Sequence, residues 1–337
     1  MRWIKNARIR NLQLVMMHIR HALGLDGGDG NKQIDKRVFN NQRHANKSRN
    51  MCSPSRRLLG NRGGGDTETE AGDNSMSSCF NMDELRAMAD AYNLFTIAQK
   101  NGSIIQYPNK MDHAQLWNAL REKLLPLCGD RGEVCWLDQS GMLSKLQKSN
   151  PFLYDLITKD AIKPQGKRKK YEWLNTLDIE RVMTQYETVY PQFKFIGCFA
   201  SDHFELNPRE FPSDIIKKYR ITAIVFNMDA SHQSGSHWIS VVFSRDEGRL
   251  FIEYFDSTGS PPNQRIKKFL SHPFFHDAIY IQNATKHQKY NSECGVYSMY
   301  FILQRLMGKT LDDINKNVIT DRQMNEYRCE LFRPYDA

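Results

Sequence analysis

Residues 237–256, HWISVVFSRDEGRLFIEYFD, read as two runs of β-branched and aromatic residues joined by a short charged turn with one glycine, the pattern of a β-hairpin. Folded about Asp246 and Glu247, the hairpin sets His237 opposite Asp256, Ile239 opposite Tyr254, Val241 opposite Ile252 and Phe243 opposite Leu250. One face is then apolar along its length and ends in a histidine facing an aspartate. Directly opposed side chains start about 4.5–5.5 Å apart at Cβ, which suits a carboxylate accepting from an imidazole N–H. A slip of one residue would turn Ser240 and Glu253 onto that face, so the pattern favours this register.

Outward from the hairpin, residues 221–227 and 278–282 read as further strands. Residues 295–307 are a long apolar helix that stops at Gly308. Strands bracketed by helices make an α+β domain, a central mixed sheet flanked by helices with the apolar helix buried against it.

A His–Asp pair fixes one imidazole tautomer and leaves the other ring nitrogen to take a proton, so it calls for a nucleophile. Cys294 follows the polar Asn291-Ser292-Glu293 and stands where the apolar helix begins. There the partial positive charge of a helix N-terminus and a neighbouring imidazolium both favour a thiolate. Acyl transfer also needs hydrogen-bond donors for an oxyanion. The Cys294 backbone N–H is one, and Gln288, six residues upstream in a polar loop, can offer its side-chain amide as the second. His232 and His287 compete for the role of base, but neither fits the hairpin register. Each residue also has a structural reading: Cys294 as a small buried hydrophobe, Asp256 as a turn residue, Trp238 as a core aromatic, Asn227 and Asp229 as loop formers.

Hydrophobic residues at 40% and charged residues at 25% exclude disorder over most of the 337 residues. The net charge of +9 is uneven: residues 1–65 hold 14 Lys+Arg against 3 Asp+Glu, or +11, leaving 33 against 35, or −2. The basicity belongs to a tail able to bind nucleic acid, an acidic membrane surface or an acidic partner, and it says nothing about the downstream chemistry. Residues 1–25 can form a basic amphipathic helix, read as a transit peptide, a docking arm or a flexible arm. Residues 26–78 are rich in Gly, Asn, Asp and Ser and read as a linker or disordered stretch. Helical spacing appears at 82–95 and 113–125, and a further helix is expected from Asn175 or Thr176 to about Tyr190. Seven cysteines, odd in number and without CxxC spacing, point to a reducing compartment and speak against zinc at Cys128 and Cys135. No run of 18 apolar residues occurs, so no transmembrane segment is expected, and no cofactor is called for. The expected division is a basic tail and linker (1–78), a helical accessory arm (79–128) and a catalytic domain (129–337).

His237-Trp238, then Asp256 in Tyr254-Phe255-Asp256-Ser257, then Gln288 six residues before Cys294-Gly295-Val296-Tyr297, resembles the active-site order of the ubiquitin-like-protein (SUMO) protease and adenovirus protease superfamily. Residues 173–179 resemble the segment that opens its catalytic domain with a Trp-Leu pair. Phe226-Asn227-Met228-Asp229, Gly235-Ser236-His237-Trp238 and residues 185–197 resemble the branch of large double-stranded DNA viruses, including African swine fever virus. That type carries Asn where this chain has Asp256, and the basic tail is foreign to the family core. The resemblance implies a papain-like cysteine protease core and a protein substrate cleaved after Gly-Gly in a Gly-Gly-X site. It also implies a channel narrowed to glycine width by Trp173 and Trp238, with Asn227 and Asp229 as further candidates for substrate contact. In the viral branch it implies maturation of structural polyproteins, hence residence in the virion and host cytoplasm; outside that branch an intracellular place, cytoplasmic or nuclear, is expected. Removal of SUMO or another ubiquitin-like modifier is the alternative. An acetyltransferase on the same triad lacks any acyl-CoA site in the sequence, and a non-enzymatic virion protein bound to nucleic acid would leave the four catalytic types idle. Gly63-Gly64-Gly65 is then a candidate self-cleavage site that would shed the tail.

Overall fold

The computed structural model describes residues 51–59, 78–100, 102–107, 111–290 and 292–335. The expected basic helix of residues 1–25 and the Gly63-Gly64-Gly65 segment lie outside the described residues. The chain divides into a helical unit that ends at Gln165 and takes back the chain from Phe332, and a unit spanning Gly166–Leu331.

The helical unit contains α1 (Pro54–Leu59), α2 (Met82–Gln99), α3 (His113–Cys128), α4 (Gly132–Trp136), α5 (Ser140–Ser149) and α6 (Pro151–Leu156). Reciprocal capping by Asn81 with Glu84 starts α2, and by Asp112 with Gln115 starts α3, satisfying N–H groups that the first helical turn leaves unpaired. The expected boundary at residue 128 moves to 165 because Val134, Trp136, Met142 and Leu146 share one core with Leu85, Met88 and Leu116. Part of the expected linker is also ordered: Cys52 and Ser53 are buried, and Arg56 pairs with the buried Glu84. Four of the seven cysteines form two disulfides, Cys52–Cys79 and Cys128–Cys135. An odd, scattered set therefore does not mean unpaired thiols here, since residues 27 and 7 apart in sequence meet within the helical core. Cys198, Cys294 and Cys329 are thiols.

The second unit is built on five strands in the order β1 (Phe193–Ala200), β2 (Ile221–Asn227), β3 (Trp238–Asp246), β4 (Arg249–Phe255) and β5 (Ile279–Gln282). The outer pairs β1–β2 and β4–β5 are parallel, whereas β2–β3 and β3–β4 are antiparallel, giving the expected mixed sheet. Helix α7 (Thr176–Val189) begins at a capping box of Asn175 and Asp178 and packs on β1. Between β1 and β2 lie α8 (His203–Leu206) and α9 (Ser213–Lys218), and α10 (Gln264–Leu270) precedes β5. One sheet face carries Ile224, Phe226, Ile239, Val241, Phe243 and Ile252 under a phenylalanine-rich layer that includes Phe204 and Phe269.

The other face is covered by α11 (Cys294–Leu306), in which every residue except Arg305 is buried. A helix apolar on all sides needs such a position, because each fully buried large side chain contributes about 1.5–3 kcal/mol. Phe301 stacks on Phe255 with centroids 4.6 Å apart, and Arg305 pairs with Glu253 at 2.6 Å. The unit closes with α12 (Leu311–Lys316) and α13 (Asp321–Leu331).

The β3–β4 hairpin differs from the expected one in register. Asp246 pairs with Arg249, Phe243 with Ile252 and Val241 with Tyr254, two residues away from the pairing read from the sequence. The turn is Glu247-Gly248, both at positive φ (46° and 81°), the two-residue geometry that matches strand twist. A shift of two keeps every side chain on its face, so the apolar face is as expected. Ser240 and Glu253 are nevertheless buried, because α11 covers the face that was read as open to water.

Candidate active site

His237 and Asp256 stand just beyond the paired residues of β3 and β4. The shifted register makes their meeting diagonal rather than directly opposed, and the His237 Nε2–H donates to Asp256 Oδ1 at 2.7 Å. The carboxylate is buried and the imidazole keeps 21% of its side-chain surface exposed. Asp256 Oδ1 also accepts from the Thr258 N–H and hydroxyl, each at 2.8 Å. Its backbone is pinned by Asn283, whose Oδ1 accepts from the Asp256 N–H at 2.9 Å while Nδ2 donates to the Asp256 carbonyl at 2.8 Å. The acid is thereby fixed at both ends.

The loop that delivers His237 is shaped by two other predicted residues. Asn227 Oδ1 accepts from the N–H groups of Asp229 and Ser236, at 3.0 and 3.3 Å, and Asp229 Oδ1 accepts from the Ser236 hydroxyl at 2.8 Å. Both residues thus do the loop-forming work that their residue types suggest. Gly235 sits at φ +88°, and a Cβ there would lie 2.6 Å from Asn227 Nδ2. Gly235→Ala is expected to destabilise the protein by roughly 1–3 kcal/mol and to lower kcat by displacing His237. Urea unfolding and steady-state kinetics of the variant check both.

Cys294 opens α11 and is 3% exposed. With Nε2 engaged by Asp256, Nδ1 is the ring nitrogen left for the thiol. Burial works against a charged imidazole, but hydrogen bonds to Asp256 and Cys294, and the negative charge on both, outweigh it and raise His237 to about 9. The competing histidines are placed elsewhere. His232 is exposed on the loop before Gly235. His287 is buried, bonded through Nε2 to Asn315 at 3.1 Å and packed between Phe255 and Tyr297, and its burial pushes it below the ordinary imidazole range.

Gln288 is buried on the loop preceding α11. Its Oε1 accepts from the Ser257 hydroxyl at 2.6 Å, its backbone N–H donates to the Ser257 carbonyl at 2.8 Å, and Nε2 donates to the Tyr290 carbonyl. Among the described residues no acceptor takes its second amide hydrogen, and the loop is stitched to the turn that carries Asp256. Gln288→Ala should lower kcat by about 10²–10³-fold with little change in KM, the signature of a lost oxyanion donor. A change confined to KM in steady-state assays would reject that role.

Trp238 donates from its indole Nε1 to the Leu174 carbonyl at 2.9 Å. Leu174 and the Trp238 ring both press on Gly295, where an added Cβ would meet each at 3.3 Å. Any side chain after the cysteine would therefore require Leu174 or the indole to give way by a few tenths of an ångström. Trp173 is 46% exposed next to Leu174. Thr258 was missed in the sequence, although an aspartate two residues before a threonine in Asp256-Ser257-Thr258-Gly259 is the mark of an Asx turn. Asn283 gave no signal, lying 27 residues from the acid it holds. Among the described residues no cluster of His, Cys, Asp and Glu is arranged to hold a metal ion, and no helix is long and apolar enough to cross a membrane.

A mixed sheet whose central hairpin presents a His–Asp pair to a cysteine at the tip of a buried helix defines a thiol hydrolase. Residues 147–337 match the model of the Ulp1 protease family, C-terminal catalytic domain, and the chain belongs to that family of cysteine proteases. A protein of Acanthamoeba polyphaga mimivirus named as a thiol protease is 31% identical over 284 residues, covering 77% of this chain and 91% of that one. The SUMO-1 cysteine protease of African swine fever virus is 28% identical over 199 residues, covering 51% of this chain and 71% of that one. The crystal structure of the African swine fever virus protease shares the fold, with a TM-score of 0.52 and 19% identity over 68% of this chain and 94% of its own.

Proposed function

We propose that this protease is an endopeptidase that cuts after Gly-Gly, with Cys294 as nucleophile, His237 as base and acid, Asp256 as the orienting group, and the Cys294 N–H with Gln288 as oxyanion donors. The observation that carries it is the 2.7 Å bond from His237 to a buried, doubly anchored Asp256, with Cys294 as the ring's other partner. The thiolate attacks the carbonyl carbon of the second glycine, and the two donors bind the oxyanion that forms. As the C–N bond breaks, the imidazolium proton passes to the departing amine. Water, deprotonated by His237, then attacks the thioester and frees the carboxylate and the thiol.

The packing of Leu174 and Trp238 on Gly295, with the exposed Trp173 next in the chain, supports a channel too narrow for residues with side chains. Structural polyproteins as the substrates, with the virion and host cytoplasm as the place of action, are our reading from the sequence resemblance to the branch of large DNA viruses; the relatives' names carry the protease activity but neither of these. The name of the African swine fever virus relative favours a second reading, removal of a SUMO-like modifier.

Purified protein incubated with Gly-Gly-X peptides and with SUMO and ubiquitin precursors, beside Cys294→Ala, separates the two. Peptide turnover without modifier processing supports maturation, and the reverse supports deconjugation. Absence of thiol-dependent cleavage of either would sink both.

A further inference from the structure

Lys289 and Tyr290, which follow Gln288, and Glu293, which precedes Cys294, are held by one helix. On α13, Asp321, Asn325 and Arg328 fall at spacings of four and three residues and so share a face. Asp321 Oδ2 accepts the backbone N–H groups of Lys289 and Tyr290, at 2.9 and 3.1 Å, immediately after Gln288. Asn325 Nδ2 donates to Glu293 Oε1 at 3.2 Å. Arg328 grips the same carboxylate with two prongs, Nε to Oε2 at 2.8 Å and Nη2 to Oε1 at 3.0 Å. Glu293 is fully buried and immediately precedes Cys294. A carboxylate buried there without a partner would oppose negative charge on the adjacent sulfur and on the oxyanion, and the guanidinium cancels it.

We propose that the Asp321–Asn325–Arg328 stripe of α13 is a positioning device for the oxyanion site: it fixes Lys289 and Tyr290 next to Gln288 and Glu293 next to Cys294, so that the Gln288 amide and the Cys294 N–H converge on one point. The inference rests on the proposed roles of Gln288 and Cys294. Its physical content is that these side chains act through backbone placement and touch no substrate. A misplacement of about 1 Å in such a site can cost about 10²-fold in rate.

Two reactions of the same sulfur separate positioning from simple support. Hydrolysis passes through an oxyanion, whereas alkylation of Cys294 by iodoacetamide displaces iodide at carbon and forms none. The full chain is compared with Asp321→Ala, Arg328→Gln and the double variant Glu293→Gln with Arg328→Gln, measuring kcat and KM on a Gly-Gly-X peptide and the alkylation rate at pH 7. The expected result is a 10- to 100-fold loss of kcat for Asp321→Ala, with KM and alkylation each within about 3-fold of the parent, and a loss of both kcat and alkylation for Arg328→Gln, which leaves Glu293 without its cation beside the sulfur. The double variant, with both charges removed, should recover at least 5-fold in kcat over Arg328→Gln alone. Unchanged kcat in both single variants, with Cys294→Ala inactive, would overturn the inference and leave the proposed function standing. Parallel losses of kcat and alkylation in Asp321→Ala, with a lowered unfolding midpoint, would mark the stripe as plain structural support and also overturn it. Full turnover by Cys294→Ala would instead remove the proposed function on which the inference depends.

Discussion

Exchange of Cys294 for alanine is expected to lower kcat on a Gly-Gly-X peptide by about 10⁶-fold, because a nucleophile and base that act as a unit lose nearly everything when either is removed. The fold should survive. Cys294 is 3% exposed, and deleting one buried atom costs about 1 kcal/mol, far less than a domain with the core described above can bear. A second readout follows from the electrostatics of the site. The bond to Cys294 and its charge are part of what raises His237 to about 9, so the variant should titrate below that while Asp256 still opposes the effect of burial. NMR titration of the imidazole measures the shift. If turnover persists, or if His237 titrates unchanged in the alanine variant, the sulfur is not the ring's working partner.

What the sequence revealed and what it concealed follow from the range of the forces involved. Strand β2 lies where its β-branched run predicts, and α7 starts at Asn175 because capping is settled within four residues. Alternation of side chains, in contrast, fixes a hairpin register only to within a multiple of two once both faces are covered. The choice fell to the Glu247-Gly248 turn, and Ser240 and Glu253 could not report it because both are buried beneath α11. Strand β1 escaped notice because Gly197 interrupts its phenylalanines with a register shift. Helix α13 is amphipathic but strongly polar, and its meaning lies in partners 31 to 35 residues earlier, so its role became visible only in three dimensions. His237, Asp256 and Cys294 could be singled out together because each reactive type stands at the end of a strongly periodic element, where the apolar pattern breaks off.

Replacement of Asp256 by alanine should reduce kcat/KM on the order of 10³–10⁴-fold, with the loss growing as pH rises. Burial alone would push the His237 ring below its ordinary value of 6.5, and the Asp256 bond and charge are the main reason the protonated form persists to about 9. Without the carboxylate, only Cys294 opposes burial. At pH 8 the parent retains its imidazolium and the variant holds less of it, so the imidazolium–thiolate pair is depleted there and less so at pH 6. Stability follows the same sign. A raised histidine stabilises the folded state fully below 6.5 and loses that contribution as pH climbs through about 9. The pH-dependent part of the difference in urea unfolding between parent and variant should therefore be largest near pH 6 and vanish near pH 10. Asp256→Asn keeps an oxygen to accept from His237 and Thr258 but carries no charge, so it should retain more activity than alanine while sharing its lowered alkaline limb. Equal pH profiles for parent and alanine variant would show that the carboxylate merely closes the turn.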